Sequence, residues 1–178
     1  MILITGGSGS GKSEYAEKTA SELKKNLSLE SVIYIATMLP MGDETVRKIK
    51  RHRKMRANKG FLTKECYKTE DIIKISKCEM FKRSIILLEC MSNLTANEIF
   101  SFKNENAYRD IVDGMKEVSE KSGGLIIVTN EVFSDGVEYD GETSKYMECL
   151  GRINCALAGF AEEVTEVVCG IPVILSGR

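Results

Sequence analysis

The sequence predicts an α/β protein, a three-layer sandwich in which a mostly parallel sheet lies between two layers of helices. Short apolar runs rich in Ile and Val recur along the chain. These runs are continuous rather than alternating, which is typical of strands buried on both faces. Stretches with helical spacing separate the runs, and such strand–helix alternation indicates a parallel sheet flanked by helices.

The predicted elements follow one another without a long linker. The predicted strands are Met1–Thr5, Ser31–Thr37, Ser84–Leu88, Leu125–Thr129, Glu166–Cys169 and Pro172–Leu175. The predicted helices are Lys12–Leu27, Glu44–Lys54, Tyr108–Lys121 and Ser144–Glu163. The last two strands enclose a Gly-Ile-Pro turn, which predicts a C-terminal hairpin at an edge of the sheet.

Length and composition favour one domain over residues 1–178. The chain has 25 Lys and Arg against 26 Asp and Glu, for a net charge of −1, so it is not polybasic as a whole. No apolar run approaches the ~20 residues that span a bilayer, and no basic region precedes an apolar stretch at the start. We therefore expect a cytoplasmic protein without a membrane span.

The six cysteines do not form a metal-binding pattern. None belongs to a C-x-x-C pair, and the chain has only one histidine. Zinc sites need several Cys or His ligands at close spacing, so we expect no zinc and reduced thiols with packing roles. The cysteines are Cys66, Cys78, Cys90, Cys149, Cys155 and Cys169.

A glycine-rich loop follows the first predicted strand and matches G-x-x-x-x-G-K-[ST] at every fixed position. Its residues are Gly6, Gly7, Ser8, Gly9, Ser10, Gly11, Lys12 and Ser13. In such a loop the backbone N–H groups surround a phosphate, and the N-terminus of the next helix adds partial positive charge. We expect Lys12 to reach the β- and γ-phosphates of a nucleotide and the Ser13 hydroxyl to bind Mg²⁺.

Polar residues follow two other predicted strands. Glu89 comes directly after the strand Ser84–Leu88, and Asn130 and Glu131 follow Leu125–Thr129. Ligands bind beyond the carboxyl ends of the strands in open α/β sheets, so both sets are expected to converge on one crevice. We predict that Glu89 is the carboxylate partner of the phosphate loop, on a neighbouring strand, where it contacts Mg²⁺ or substrate.

A basic segment surrounds the only histidine, His52. Between positions 47 and 64 there are nine Lys or Arg residues and no acidic residue. On a helix, Lys48 and Arg56 share a face with His52, and two cations beside an imidazole favour its neutral, nucleophilic form. A solvated basic helix with an incidental histidine is the alternative. Nucleic-acid binding is not favoured, because no aromatic residue interrupts positions 47–60.

The ordered motifs identify a family. The chain resembles the bifunctional adenosylcobinamide kinase/adenosylcobinamide-phosphate guanylyltransferase family of cobalamin biosynthesis. The matching segments are MILITGGSGSGKS, VIYIAT at 32–37, R-x-x-x-R-H-R at 47–53, ILLEC at 86–90, VTNEV at 128–132, GRIN at 151–154 and the final CGIP. They occur in the family's order over nearly the whole chain.

The resemblance implies a P-loop fold of the RecA-like type and two reactions. ATP or GTP phosphorylates the aminopropanol hydroxyl of the corrinoid, and GTP then donates GMP to that phosphate through a histidine, which here is His52. Lys12 and Glu89 join His52 as catalytic residues, with Mg²⁺ on Ser13 and Glu89. Further nucleotide-binding positions are Lys48, Arg51, Arg53, Arg56 and Glu65. The family also implies a homo-oligomer, specifically a trimer.

Two segments depart from the family pattern. Ala57 and Phe61 stand where relatives often have Pro and Trp, and segment 133–145 lacks the usual Pro. Two rival functions stay open from the residues alone. One is a kinase for a nucleoside or another small alcohol, which uses Lys12, Ser13 and Glu89 while the basic segment covers the phosphates as a lid. The other is a nucleotide-dependent switch whose basic helix docks on an acidic partner.

Overall fold

The computed structural model describes residues 1–56, 59–133 and 140–177. Its strands are β1 Ile2–Thr5, β2 Ser31–Ala36, β3 Leu62–Glu65, β4 Ser84–Glu89, β5 Gly124–Val128, β6 Glu163–Val168 and β7 Ile171–Gly177. Its helices are α1 Lys12–Asn26, α2 Gly42–Arg56, α3 Thr69–Ser76, α4 Glu79–Lys82, α5 Met91–Ala96, α6 Ala107–Lys121 and α7 Gly141–Phe160. A π-helical turn at Asn97–Ser101 follows α5.

All seven strands form one sheet in the order β3-β2-β4-β5-β1-β6-β7. Strand β1 lies between β5 and β6 and is parallel to both, with Ile4 opposite Val128 on one side and Thr165 on the other. Among the strands of the described residues, only the pair β6–β7 is antiparallel, and β7 lies at one edge of the sheet, with β3 at the other. The predicted mostly parallel sheet and C-terminal edge hairpin are confirmed.

The central strands bury both of their faces, which explains their continuous apolar runs. In β4, Ile85 and Leu87 belong to one core cluster, whereas Ile86 and Leu88 belong to the other. All four side chains are at most 1% exposed. A strand with one solvated face would instead alternate apolar and polar residues.

Helices cover both faces of the sheet. Helix α1 places Ala16 and Ala20 in one core cluster, and small residues here allow the helix to approach the sheet closely. The other cluster contains Ile111 of α6 and Ile153 of α7. The predicted three-layer arrangement is thereby confirmed. Among the described residues, no helix has both the length and the apolarity needed to cross a bilayer.

Several elements of the structure were not predicted from the sequence, or were predicted with other bounds. Strand β3 was not predicted, and neither were the short helices α3, α4 and α5. The helix predicted for Ser144–Glu163 was too long, because α7 ends at Phe160 and β6 begins at Glu163. The backbone turns extended at Ala161, and the N–H of Glu162 donates to the Met1 carbonyl at 2.8 Å. Pairing with β1 therefore overrides helical spacing at this point.

The cysteines are all free thiols, and their environments differ. Cys66 is buried, and burial raises its pKa to about 11. Cys78, Cys155 and Cys169 are exposed, so the packing role predicted for each cysteine does not extend to these three.

Close packing of α6 against α3 gives a stability prediction. A Cβ atom at Gly114 would lie 2.4 Å from Cγ2 of Thr69, a buried β-branched side chain whose rotation about χ1 is restricted. Although Gly→Ala in a helix interior usually stabilises by up to ~1 kcal/mol, Gly114→Ala should lower the free energy of unfolding by about 1–3 kcal/mol through overpacking. Urea denaturation measures the change.

Gly159→Ala in α7 is the matched control for this prediction. A Cβ atom there meets nothing within 4 Å, so this variant should be neutral or slightly stabilising. Equal free energies of unfolding for the two variants would contradict the close approach of α6 to α3.

Candidate functional site

The glycine-rich loop connects β1 to α1 in a conformation that requires glycine. Gly6 has φ +149°, and a Cβ atom there would lie 2.5 Å from the carbonyl oxygen of Val167. Gly9 and Gly11 have φ of +72° and +92°, in the left-handed region. Gly11 is also the N-cap of α1, so no side chain there satisfies the first N–H groups of the helix. The unpaired N–H groups at this helix N-terminus are therefore free to bind an anion.

Two distant segments hold the loop in place. The N–H of Gly170, in the β6–β7 turn, donates to the carbonyl of Ser10 at 2.8 Å. The N–H of Glu131, just after β5, donates to the carbonyl of Gly6 at 3.1 Å. Ser10 Oγ is buried and has no hydrogen-bond partner among the described residues. A buried hydroxyl that can still donate fits an anion-binding loop.

The side chain of Lys12 folds back over the loop. Its Nζ donates to the carbonyl of Gly7 at 2.8 Å, and the residue is only 8% exposed. Burial lowers the pKa of Lys12, whereas electrostatic interaction with Cys90 and Glu89 opposes that shift. A cation buried with few partners is well placed to gain a phosphate as counter-ion.

Glu89 reaches this lysine from a different place in the sheet than the sequence indicated. The prediction of a neighbouring strand was wrong, because β5 lies between β1 and β4. The carboxyl ends of parallel strands nevertheless meet at one edge, so the half-buried Glu89 acts electrostatically on Lys12. Asn130 arrives at the same edge, with its Nδ2 3.6 Å from the sulfur of Cys90. The predicted convergence of these residues is confirmed.

A turn centred on Cys90 positions Glu89, and this turn was not predicted from the sequence. Cys90 has φ +87°, an unusual conformation for a residue other than glycine. The Thr37 hydroxyl lies 2.9 Å from the Glu89 carbonyl and 3.0 Å from the Cys90 carbonyl, and donates to them. Asn97 Nδ2 in turn donates to the Thr37 carbonyl at 2.8 Å. The feature of the sequence that could have indicated this turn is Thr37, a polar residue at the end of an apolar strand.

The basic segment forms most of α2, as predicted. The side chains of Lys48, His52 and Arg56 lie outside the described part of the structure, and so do residues 57–58 and 134–139. Arg53 forms an ion pair with Glu65 at the carboxyl end of β3. The two predicted nucleotide-binding residues therefore contact each other, and Tyr67 also donates to Glu65 at 3.0 Å. Arg51 is exposed.

The residues at the loop fit Mg²⁺ as a partner of bound phosphates. Ser13 is half-buried in the first turn of α1 and offers a hydroxyl oxygen, and Glu89 offers a carboxylate. Within the described ranges, there is no group of three or more His, Cys, Asp or Glu side chains that could hold a metal ion. Mg²⁺ does not require one, because it usually takes one or two protein oxygens together with phosphates and water.

Fold and site together define a class of protein. A parallel sheet whose first strand runs through a glycine-rich loop into a helix, with a buried lysine on that loop, is a P-loop nucleotide-binding fold of the RecA-like type. The flagellar accessory protein FlaH from Methanocaldococcus jannaschii has a similar fold. It superimposes with a TM-score of 0.52 at 18% identity, over 99% of this chain and 78% of its own.

Sequence comparison identifies the family. The family model for cobinamide kinase / cobinamide phosphate guanyltransferase matches residues 2–175, so the chain belongs to this family. The bifunctional adenosylcobalamin biosynthesis protein CobU of Salmonella typhimurium is 30% identical over 97% of this chain and 98% of its own length. The corresponding protein CobP of Pseudomonas aeruginosa is 31% identical over 99% and 97%. The resemblance found from motifs alone is confirmed.

Proposed function

We propose that the protein phosphorylates adenosylcobinamide with ATP or GTP and then transfers GMP from GTP to the product, giving adenosylcobinamide-GDP and pyrophosphate. The observation that carries this proposal is the family match over residues 2–175, which includes the phosphate loop, the basic helix and the C-terminal hairpin. We also propose that the protein is cytoplasmic and assembles as a homo-oligomer, a trimer. Its binding partners would be small-molecule substrates, the nucleoside triphosphate and the corrinoid.

The phosphate loop supplies the binding part of both reactions. Its N–H groups and the Lys12 ammonium would surround the triphosphate, and Lys12 would balance charge on the β- and γ-phosphates. Ser13 and Glu89 would hold Mg²⁺, which when bound neutralises phosphate oxygens. In the kinase step, the aminopropanol hydroxyl attacks the γ-phosphorus while the loop retains the departing diphosphate.

The guanylyl step needs a nucleophile, and His52 is the only histidine of the chain. Its imidazole nitrogen would attack the α-phosphorus of GTP, so that a P–N bond forms as the P–O bond to pyrophosphate breaks. The phosphate of the corrinoid then displaces the imidazole and takes the GMP. The guanidinium groups of Arg51 and Arg53 on α2 would balance the phosphate charge during both transfers.

Incubation with GTP labelled at the α-phosphate tests this proposal directly. Wild-type protein should acquire a covalent label that is lost in acid and is discharged by adenosylcobinamide phosphate, whereas His52→Ala should acquire none. Phosphorylation of adenosylcobinamide without any covalent label would reduce the function to that of a kinase. Absence of turnover with every hydroxyl substrate would favour a nucleotide-dependent switch.

A further inference from the structure

A depression on the outer face of α7 has no role in the chemistry described so far. Its volume is about 660 Å³, within the range of small-molecule sites. The lining is mainly apolar, from side chains of α6, α7 and the segment after β5. The residues that matter here are Tyr108, Phe133, Met147, Gly151 and Arg152.

This depression lies close to the phosphate loop. The Glu131 N–H donates to the Gly6 carbonyl of that loop, and the Glu131 carboxylate accepts from the Phe133 N–H at 2.8 Å. Two residues of chain span at most about 7 Å. The backbone of Phe133, which forms one wall of the depression, therefore lies within about 7 Å of the Glu131 backbone that contacts the loop. The depression therefore begins beside the phosphate loop.

The wall and floor suit a flat, largely apolar ring. Phe133 is 41% exposed, and its ring lies over Gly151, where a Cβ atom would be only 3.5 Å from Cε1. The guanidinium carbon of Arg152 lies 4.5 Å from the centroid of the Tyr108 ring. Exposed aromatic surface would pack on a ring system, and the guanidinium N–H groups would donate to amide oxygens at its border.

A corrinoid has the chemical features that this wall and floor would bind. It is a flat macrocycle bordered by amide groups, and the hydroxyl that reacts stands at the end of a flexible arm. The macrocycle must therefore rest beside the phosphate loop while the arm reaches the γ-phosphate. We propose that the depression bounded by Phe133 and α7 binds the corrinoid macrocycle. This inference rests on the proposed function and adds the location of the second substrate.

The test replaces the glycine in the floor. Gly151→Leu fills the depression from α7, and Gly159→Leu, on the same helix where a Cβ atom meets open space, is the matched control. We expect Gly151→Leu to raise the KM for adenosylcobinamide about tenfold or more while the KM for ATP stays unchanged, as for a lost binding contact. The control should leave both KM values unchanged.

Direct titration of adenosylcobinamide into each protein separates this inference from the proposed function. If adenosylcobinamide binds Gly151→Leu more weakly than wild-type protein, the inference is supported whether or not turnover occurs. If Gly151→Leu does not fold, Phe133→Ala takes its place in this comparison. Wild-type protein that binds the corrinoid as tightly as both variants overturns it, and so does a shift in oligomeric state with unchanged KM. Wild-type protein that neither binds nor phosphorylates the corrinoid overturns the proposed function as well.

Discussion

Lys12→Ala should lower kcat/KM about 10²- to 10³-fold in both the kinase and the guanylyltransferase assay, the loss typical of removing one preorganised donor to a developing charge. The ammonium is buried on the phosphate loop, 2.8 Å from the Gly7 carbonyl, and both reactions would need the triphosphate held there. The measurements are phosphorylation of adenosylcobinamide and release of pyrophosphate from GTP.

Lys18→Ala is the control for this variant. Lys18 lies on the same helix, and its side chain is 73% exposed beside Glu22, so its removal should change neither assay. Normal activity of Lys12→Ala in either assay would show that the loop does not hold the triphosphate for that reaction.

His52→Ala should lower guanylyl transfer about 10⁴-fold or more, because removing a covalent nucleophile abolishes the step it performs. Phosphorylation of adenosylcobinamide should remain close to the wild-type rate, since the proposed kinase step uses Lys12 and Glu89. Both rates are measured on one preparation, so that differences in folded fraction cancel.

Lys54→Ala provides the comparison for His52→Ala. Lys54 is an exposed residue of the same helix, and its loss should leave both rates unchanged. If His52→Ala reduced the kinase and guanylyl rates equally, the histidine would serve a step common to both reactions, and its assignment as a guanylyl carrier would fail.

The central sheet was predictable because its strands are buried on both sides. Continuous apolar runs such as Ser84–Leu88 are typical of such strands, and the loop after β1 has a motif with fixed chemistry. Strand β3 was not predictable in this way. All four of its residues are exposed, two of them charged, and it is held mainly by backbone pairing with β2. Backbone pairing leaves no trace in side-chain hydrophobicity.

The site was predictable where single residues carry the chemistry, and not where geometry does. Lys12, Glu89 and Asn130 meet as expected at one edge of the sheet. Support of the Cys90 turn by Thr37 could not be inferred, because one hydroxyl bonds two carbonyls about 50 positions away along the chain. Sheet order decides such contacts, and the motifs do not specify that order.

The contact between the β6–β7 turn and the phosphate loop has a consequence for the order of events in folding. Gly6 and Ser10 are near the start of the chain, but Val167 and Gly170 against them are near its end. Contacts of such sequence separation carry a large loop-closure entropy and tend to form late. During synthesis the loop therefore leaves the ribosome well before the β6–β7 hairpin, and we expect it to reach its nucleotide-binding conformation only after that hairpin has docked.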